Sequence, residues 1–419
     1  MSSPQSVLFS ASKYMPKFSP HRLLAGAVLL LGPGLLAATG AHLPHSTLYP
    51  RLIRLHHAPR ALNNSILAKT SNRLFRSLDE GRTFTYLATV PTHNLEAGSP
   101  GAGKDDPDKE RCCSTLYELP GKLGRFNAGT LLYSGSFFSH GVPAIEIFTS
   151  TDQGLHWQYL STPMRSGDDH HGLWEPAFST ANDGSLLLFV SDETDPCCSQ
   201  KLIQTRTVDL LHWEPKRDTV VGPSPAAATP GAAATPSPAG SPGSADSPGG
   251  AASPGNDRPG MAVVSALPGG AYLMSYEVCG PTVHCQVYTR TSADGIDFGP
   301  PSSFGTRAVT AAGQYLAHAP LHVFDPATRQ IVLSGQLLYE PDGTVSPRNG
   351  QLLFVNAAPD GREPWSTMPA PVQVPTAYDN FCPNYSSALL PTSRGLLELA
   401  SDYDRRHTCT SYFATLPVR

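Results

Sequence analysis

One short pattern, S-x-D-x-G-x-x-[FW], constrains this chain more than any other feature, because it recurs. Ser77-Leu-Asp79-Glu-Gly81-Arg-Thr-Phe84 and Ser150-Thr-Asp152-Gln-Gly154-Leu-His-Trp157 are complete copies. Ser292-Ala-Asp294-Gly295-Ile-Asp-Phe298 is one residue shorter, and Thr207-Val-Asp209-Leu-Leu-His-Trp213 lacks the glycine. Asp360-Gly361 with Trp365 makes a weak fifth copy. The aspartate can accept backbone N–H groups of its own turn, as Asx-turns do. Glycine supplies the left-handed conformation, and the aromatic can tuck under neighbouring strands. The motif is therefore a folding device and not a reacting site. Its repetition predicts a radial array of small sheets, a β-propeller.

The surrounding sequence agrees. No long segment has helical periodicity. Short apolar runs, such as 129–135, 185–191, 271–276, 330–334, 351–355 and 395–399, are bounded by Gly, Pro, Asp or Asn. Residues 144–149 and 285–289 alternate strictly, as half-buried strands do. The repeated motif is expected after the second strand of each unit. Its spacing predicts an all-β, six-bladed propeller over residues 42–419, with a last blade at 376–416 that closes the ring together with an N-terminal strand near 49–55. The longest interval, Asp209 to Asp294, contains 222–256, a stretch dominated by Pro, Ala, Gly, Ser and Thr. Such a composition buries too little apolar surface to fold, so it is expected to be a disordered insert between blades.

Residues 1–41 are expected to be a signal peptide, or an anchor if uncleaved. Lys13, Lys17 and Arg22 precede an apolar run at 23–38, followed by small residues Thr39-Gly40-Ala41. Secretion is thus expected, with membrane attachment only through this segment. All eight cysteines follow it, which suggests disulfides. Cys279 and Cys285 flank one short turn, and Cys382 and Cys409 share the last repeat. The vicinal pairs Cys112-Cys113 and Cys197-Cys198 have no deducible partners. Two sequons, Asn63-Asn64-Ser65 and Asn384-Tyr385-Ser386, suit a glycosylated surface. A net charge of −4 provides no electrostatic footprint for nucleic acid. No cofactor is expected and no metal site, since Asp168-Asp169-His170-His171 reads as a solvated loop. A monomer is expected.

Two glutamates stand apart from the turn-forming acids. Glu175 lies in Gly172-Leu-Trp174-Glu175-Pro176, and Glu277 ends the run Tyr272-Leu-Met274-Ser-Tyr276-Glu277. Each sits at a strand-like end beside an aromatic. In a propeller such ends face the central channel. Two carboxylates on one cleft suit glycosidic cleavage, with one protonating the leaving oxygen and the other attacking or steadying the oxocarbenium-like centre. The bland alternative is a pair of hydrogen-bonded structural carboxylates. Arg51, Trp174, Asp192, Lys201, Arg258, Tyr276 and Tyr385 are candidate substrate-binding residues. Trp174 and Tyr276 could face a sugar ring or pack between blades. Arg258 could bond a sugar hydroxyl or pair with a catalytic carboxylate and keep it ionised, and Lys201 could do the same or sit as a surface charge.

The stretches Tyr49-Pro50-Arg51, Leu173-Trp174-Glu175-Pro176, Ser191-Asp192-Glu193 with Gln200-Lys201-Leu202, and Arg258-Pro-Gly-Met261 leading to Tyr276-Glu277 resemble glycoside hydrolase family 93. These are exo-arabinanases with a six-bladed, sialidase-like propeller carrying Asp-boxes. The resemblance runs across nearly the whole chain after the export segment. It implies a secreted, retaining, exo-acting glycosidase for arabinan-like polysaccharide, with Glu175 as nucleophile and Glu277 as acid/base. Residues 312–320 depart from the family's fifth blade. The last blade has Asn384-Tyr385-Ser386-Ser387 where many sialidase-type propellers place an arginine. Sialidases grip a carboxylate with three arginines, and only Arg51 and Arg258 are nominated here. The alternatives are a non-catalytic carbohydrate-binding propeller, or a sialidase with an unusual arginine set.

Overall fold

The computed structural model describes residues 40–46, 49–91, 113–139, 141–221, 257–281, 283–358 and 360–417. The expected export segment up to residue 39 and the expected insert at 222–256 lie outside them. Among the described residues there is no helix.

The strands run β1 (Ala41–Ser46), then β2 (Arg51–Arg54), β3 (Ile66–Thr70), β4 (Arg73–Ser77) and β5 (Thr85–Thr89) as blade 1. Blade 2 comprises β6 (Thr115–Glu118), β7 (Leu131–Ser139), β8 (Val142–Ser150) and β9 (Gln158–Arg165). Blade 3 is β10 (Leu173–Thr180), β11 (Leu186–Asp192), β12 (Lys201–Thr207) and β13 (Arg217–Val220). Blade 4 is β14 (Arg258–Ala266), β15 (Tyr272–Cys279), β16 (Gln286–Ser292) and β17 (Thr306–Arg307), with β18 (Tyr315–Ala317) also pairing β16. Blade 5 follows with β19 (Leu321–Asp325) and β20 (Gln330–Ser334). After β21 (Leu337–Tyr339), which pairs β18, it continues with β22 (Leu352–Asn356) and β23 (Ser366–Pro369). Blade 6 is β24 (Ala388–Thr392), β25 (Gly395–Tyr403) and β26 (Cys409–Leu416).

The innermost strands β2, β6, β10, β14, β19 and β24 touch in that order, and β24 touches β2 again. The molecule is a closed six-bladed propeller. Closure differs from the expectation in one respect. Residues 51–54 form the innermost strand of blade 1, and it is β1 that pairs β26 as the outer strand of blade 6, with Ala41 opposite Phe413 and Ser46 opposite Thr410. The strand begins at Ala41, one residue inside the expected export segment.

The repeated turn follows the third strand of its blade, not the second. It joins β4 to β5, β8 to β9, β12 to β13 and β16 to β17. The apolar run counted first from the sequence is the second strand, because innermost strands such as β2, β6 and β24 are shorter and others are interrupted by polar residues, as β10 is by Glu175. The internal bonding is as anticipated. Asp79 Oδ1 accepts Thr83 N–H at 2.9 Å, and Ser77 Oγ accepts Gly81 N–H at 2.9 Å. Asp152, Asp209 and Asp294 do the same for their own turns. Each aromatic reaches the preceding blade. Phe84 meets Phe413 of blade 6 at 5.0 Å, and Phe298 meets Phe189 of blade 3 at 5.9 Å. Trp157 joins the apolar cluster between blades 1 and 2. The core is accordingly a ring of inter-blade clusters. Central strands such as β11 are buried on both faces and read as continuous apolar runs.

Three disulfides join pairs of described residues, Cys279–Cys285, Cys382–Cys409 and the vicinal Cys197–Cys198. The second sequon is not a surface site. Asn384 is buried, and its amide donates to the carbonyls of Gly335 and Gln336.

One buried carboxyl on β25 yields a stability prediction. Glu398 is 1% exposed and accepts one N–H, from Val372 at 2.9 Å. Burial pushes its carboxyl up to about 8. A raised carboxyl favours the protonated fold, so its stabilising effect is complete below the unfolded value near 4.5 and is lost as pH rises through about 8. Glu398→Gln keeps an acceptor for Val372 and removes the charge. It is expected to gain on the order of a few kcal/mol over the parent at pH 8 and little at pH 4. Denaturant melts at the two pH values check this, and an equal difference at both would refute it.

Candidate active site

A left-handed non-glycine residue occurs at the mouth of every blade. Tyr49 (φ 57°), Cys113 (φ 61°), Glu175 (φ 56°), Met261 (φ 57°), Ala319 (φ 49°) and Ser386 (φ 54°) occupy equivalent places. In four blades the residue lies two positions before the innermost strand. In blades 3 and 4 it sits inside a bulge, after which pairing resumes at Ala177 and Val263. Such conformations cost energy for residues with a Cβ, and bulges re-aim side chains. Here they turn one side chain per blade toward the axis. Tyr49, Cys113, Met261 and Ala319 meet there in one cluster with Tyr385. Glu175 is the single carboxylate among the six.

Two donors hold Glu175. Ser191 Oγ, on the neighbouring strand β11, donates to Oε2 at 2.6 Å, and Met261 N–H donates at 3.2 Å. Glu277 stands on β15 directly opposite Gly260. Its Oε2 accepts one N–H, from Ala319 at 2.7 Å. Each glutamate keeps some solvent contact while protein encloses it on most sides.

These environments separate the two acids. Burial raises Glu277 to about 8, and the Glu175 charge adds to the rise, with Ala319 N–H opposing it. Burial raises Glu175 as well, opposed by Ser191, Met261 N–H and Arg258. The acid with more donors is the one set to ionise first. The tyrosines respond to the same charges. Burial pushes Tyr49 up to about 12, with both glutamates adding to the rise. Tyr385 lies well above its usual value, through burial and then the charges of Glu175 and Glu277.

Arg258 is the cation that acts on both glutamates. It pairs with Glu193 and bonds Gln200 Oε1 at 2.6 Å and Ser199 Oγ at 2.9 Å. Its charge lowers both catalytic candidates. The Glu193 carboxylate also accepts Gly172 N–H at 2.9 Å, and the Trp174 indole lies against Gly172. Arg51 stacks on Tyr49 with its guanidinium 3.6 Å from the ring centre, and donates to Ser386 Oγ at 3.0 Å. It thereby ties blade 1 to blade 6 at the mouth.

Three sequence candidates are placed elsewhere. Asp192 pairs with Lys216 at 2.6 Å, and Lys201 pairs with Asp195 at 2.6 Å and Asp218 at 3.1 Å. These ion pairs take up charges that had been assigned to substrate. Tyr276 points away from the axis. It stacks on Tyr288 at 6.3 Å and donates to Phe304 O, inside the packing of blade 4. Asp168 accepts the N–H groups of His170 and His171, so that loop caps itself. Cys279, Cys285 and His318 approach one another beside Glu277, but the two sulfurs are joined to each other and not available to a metal.

Sequence reading missed Ser191, Gly260, Tyr49 and the Ala319 amide. Tyr49, Ser191 and Gly260 lie in the stretches that carry the family resemblance, but Ser191 and Gly260 have no titratable group, Tyr49 has no distinguishing pattern around it, and a backbone N–H leaves no sequence signal. Gly260 is required by close approach. A Cβ there would lie 2.6 Å from Gln200 Nε2, 2.7 Å from Ser191 Oγ and 3.2 Å from Glu175 Oε2. Gly260→Ala is therefore expected to displace the donors of Glu175 and lower kcat by about 10- to 100-fold, with little change in melting temperature. Unchanged kcat would mean that the Ser191–Glu175 contact has no bearing on turnover.

By sequence, no family model and no curated protein matches this chain. Solved structures do. An α-L-arabinanase of Penicillium chrysogenum, complexed with arabinobiose, is 23% identical over 91% of this chain and 99% of its own, with a TM-score of 0.65. A GH93 α-L-arabinofuranosidase of Fusarium graminearum, also with arabinobiose, is 21% identical over 91% and 98%, with a TM-score of 0.63. The same Fusarium enzyme with an iminosugar inhibitor gives 22% over 90% and 94%, with a TM-score of 0.62. This chain shares their fold. At these identities the likeness establishes the propeller alone.

Proposed function

We propose that this chain is an exported, retaining glycoside hydrolase that removes short units from the ends of arabinan or a related neutral polysaccharide. The observation that carries the reading is the unequal carboxyl pair at the channel mouth. Glu175, with two donors, ionises first and attacks the anomeric carbon. Glu277 keeps its proton to about pH 8 and delivers it to the leaving oxygen as the glycosidic bond breaks. In the second step Glu277 takes a proton from water, and the resulting hydroxide displaces Glu175. Arg258 limits how far either acid is raised, and Tyr385 borders both.

Three further observations support the details. The structural neighbours include proteins described as arabinanase and arabinofuranosidase and bound to arabinobiose, which favours arabinan. Arg51 and Arg258 are engaged with Ser386 and with Glu193 and Gln200, which disfavours a sialidase-type grip on a substrate carboxylate. The disulfides suit an oxidising compartment.

The test is incubation of purified protein with linear and branched arabinan, following the first-formed anomer by proton NMR. Release of short products with retained configuration is expected. No product from folded protein would leave a carbohydrate-binding propeller, and the inverted anomer would overturn the covalent step.

A further inference from the structure

Among the described residues, large exposed apolar side chains are few, and most of them have an ordinary place. Leu78, Leu155, Val208 and Leu211 sit in the repeated turns, Tyr86 and Tyr159 on outer strands, and Val345 in a bridge to Tyr339. Tyr378 (49% exposed) and Phe381 (61% exposed) have no such place. They lie in the connection between β23 and β24, beside the carboxyl pair. Phe381 packs edge-on against Tyr385 at 5.5 Å, and Tyr385 is the ring that borders Glu175 and Glu277.

This connection is firmly held. The buried amide of Gln336 donates to the carbonyls of Tyr378 at 3.2 Å and Pro383 at 3.0 Å. Tyr403 OH donates to Asn380 Oδ1 at 2.9 Å, and Cys382 is cross-linked to Cys409. Two aromatic faces are thus kept in water on a fixed backbone, the arrangement expected of a recognition surface and not of a flexible loop. Asp379 stands between them. It approaches His318 at 3.8 Å, and the residue after His318 provides the N–H bonded to Glu277. The surface therefore lies on the Glu277 side of the site.

We propose that Phe381, with Tyr378, is the platform for the leaving-group sugar, and that Asp379 restricts that sugar to an uncharged one. The proposal rests on the reading of Glu277 as the acid that protonates the leaving oxygen, since the departing unit must lie on that side. The C–H face of a sugar ring stacks on an aromatic face, while the aldose hydroxyls can donate to Asp379. A uronate would meet like charge.

The experiment compares two substrates in the wild type, Phe381→Ala, Tyr378→Ala and Phe381→Trp. One is a linear arabino-oligosaccharide. The other is the glycosyl fluoride of the released unit, whose leaving group is too small to reach the loop. Phe381→Ala is expected to lower kcat/KM on the oligosaccharide about tenfold and leave the fluoride unchanged, and Phe381→Trp to restore the loss. A smaller fall in the same direction is expected for Tyr378→Ala. Equal loss on both substrates, or no loss on either, would overturn the platform. If the wild type cleaves neither substrate, the hydrolase reading falls. Calorimetric titration with arabinotriose then decides the platform by itself. Weaker binding to Phe381→Ala supports it, and equal binding overturns it.

Discussion

Glu277→Gln is expected to lower kcat on arabinan by about 10³-fold, and Glu175→Gln by at least as much, with folding intact. The two losses should differ in kind. An aryl glycoside with a good leaving group needs no acid, so Glu277→Gln should still form the covalent intermediate quickly and stall at its hydrolysis. Glu175→Gln should form none. The wild-type pH profile carries a second signature. Glu277 must start protonated and is raised to about 8, so activity should persist below that value and fall as pH rises through it. Glu175 must start ionised and is also raised, so the acid limb should lie above the usual range for a glutamate. A profile with no alkaline limb, or one that survives in Glu277→Gln, would remove Glu277 from the acid role. Full activity in either variant would dismantle the paired mechanism.

What was legible in the sequence follows from how local each signal is. The repeated turn is closed by hydrogen bonds within eight residues, so its pattern predicts its geometry without the rest of the chain. Six blades followed from that repetition. The position of the turn within its blade did not. The innermost strands are preceded by left-handed residues such as Tyr49 and Cys113, or interrupted by bulges at Glu175 and Met261, and neither feature has a periodicity to betray it. The carboxyl pair was visible because a glutamate at a strand end beside an aromatic is unusual. Its partners were not visible, since Ser191 and the amides of Met261 and Ala319 act across strands or blades. Asp192 and Lys201 show a different limit of sequence reading. Both were conspicuous charges near the site, and both are paired within blade 3. A charge read from sequence has no direction, and its nearest opposite charge decides its role. Ring closure depends on a pairing between the two ends of the chain, which no local pattern contains.

That closure makes the second large prediction. A chain starting at residue 47 lacks β1, whereas one starting at residue 40 keeps it. Without β1, the edge of β26 loses its hydrogen-bonded partner from Ala41 to Ser46. Leu43, 1% exposed in the cluster shared by blades 5, 6 and 1, leaves a gap there. Burial of one leucine is worth about 2 kcal/mol, and each ladder bond adds about 1 kcal/mol. The shorter chain should therefore lose on the order of 4 kcal/mol. It should also self-associate through the bare edge, visible by size-exclusion chromatography. Leu43→Ala, which keeps the ladder, should lose about 2–3 kcal/mol and remain dispersed. Equal melting and dispersion of the long and short chains would mean that the ring holds without its outer strand. The expected export segment ends against this strand. Cleavage after residue 41 would keep Leu43 and most of the ladder, whereas cleavage a few residues later would open the ring.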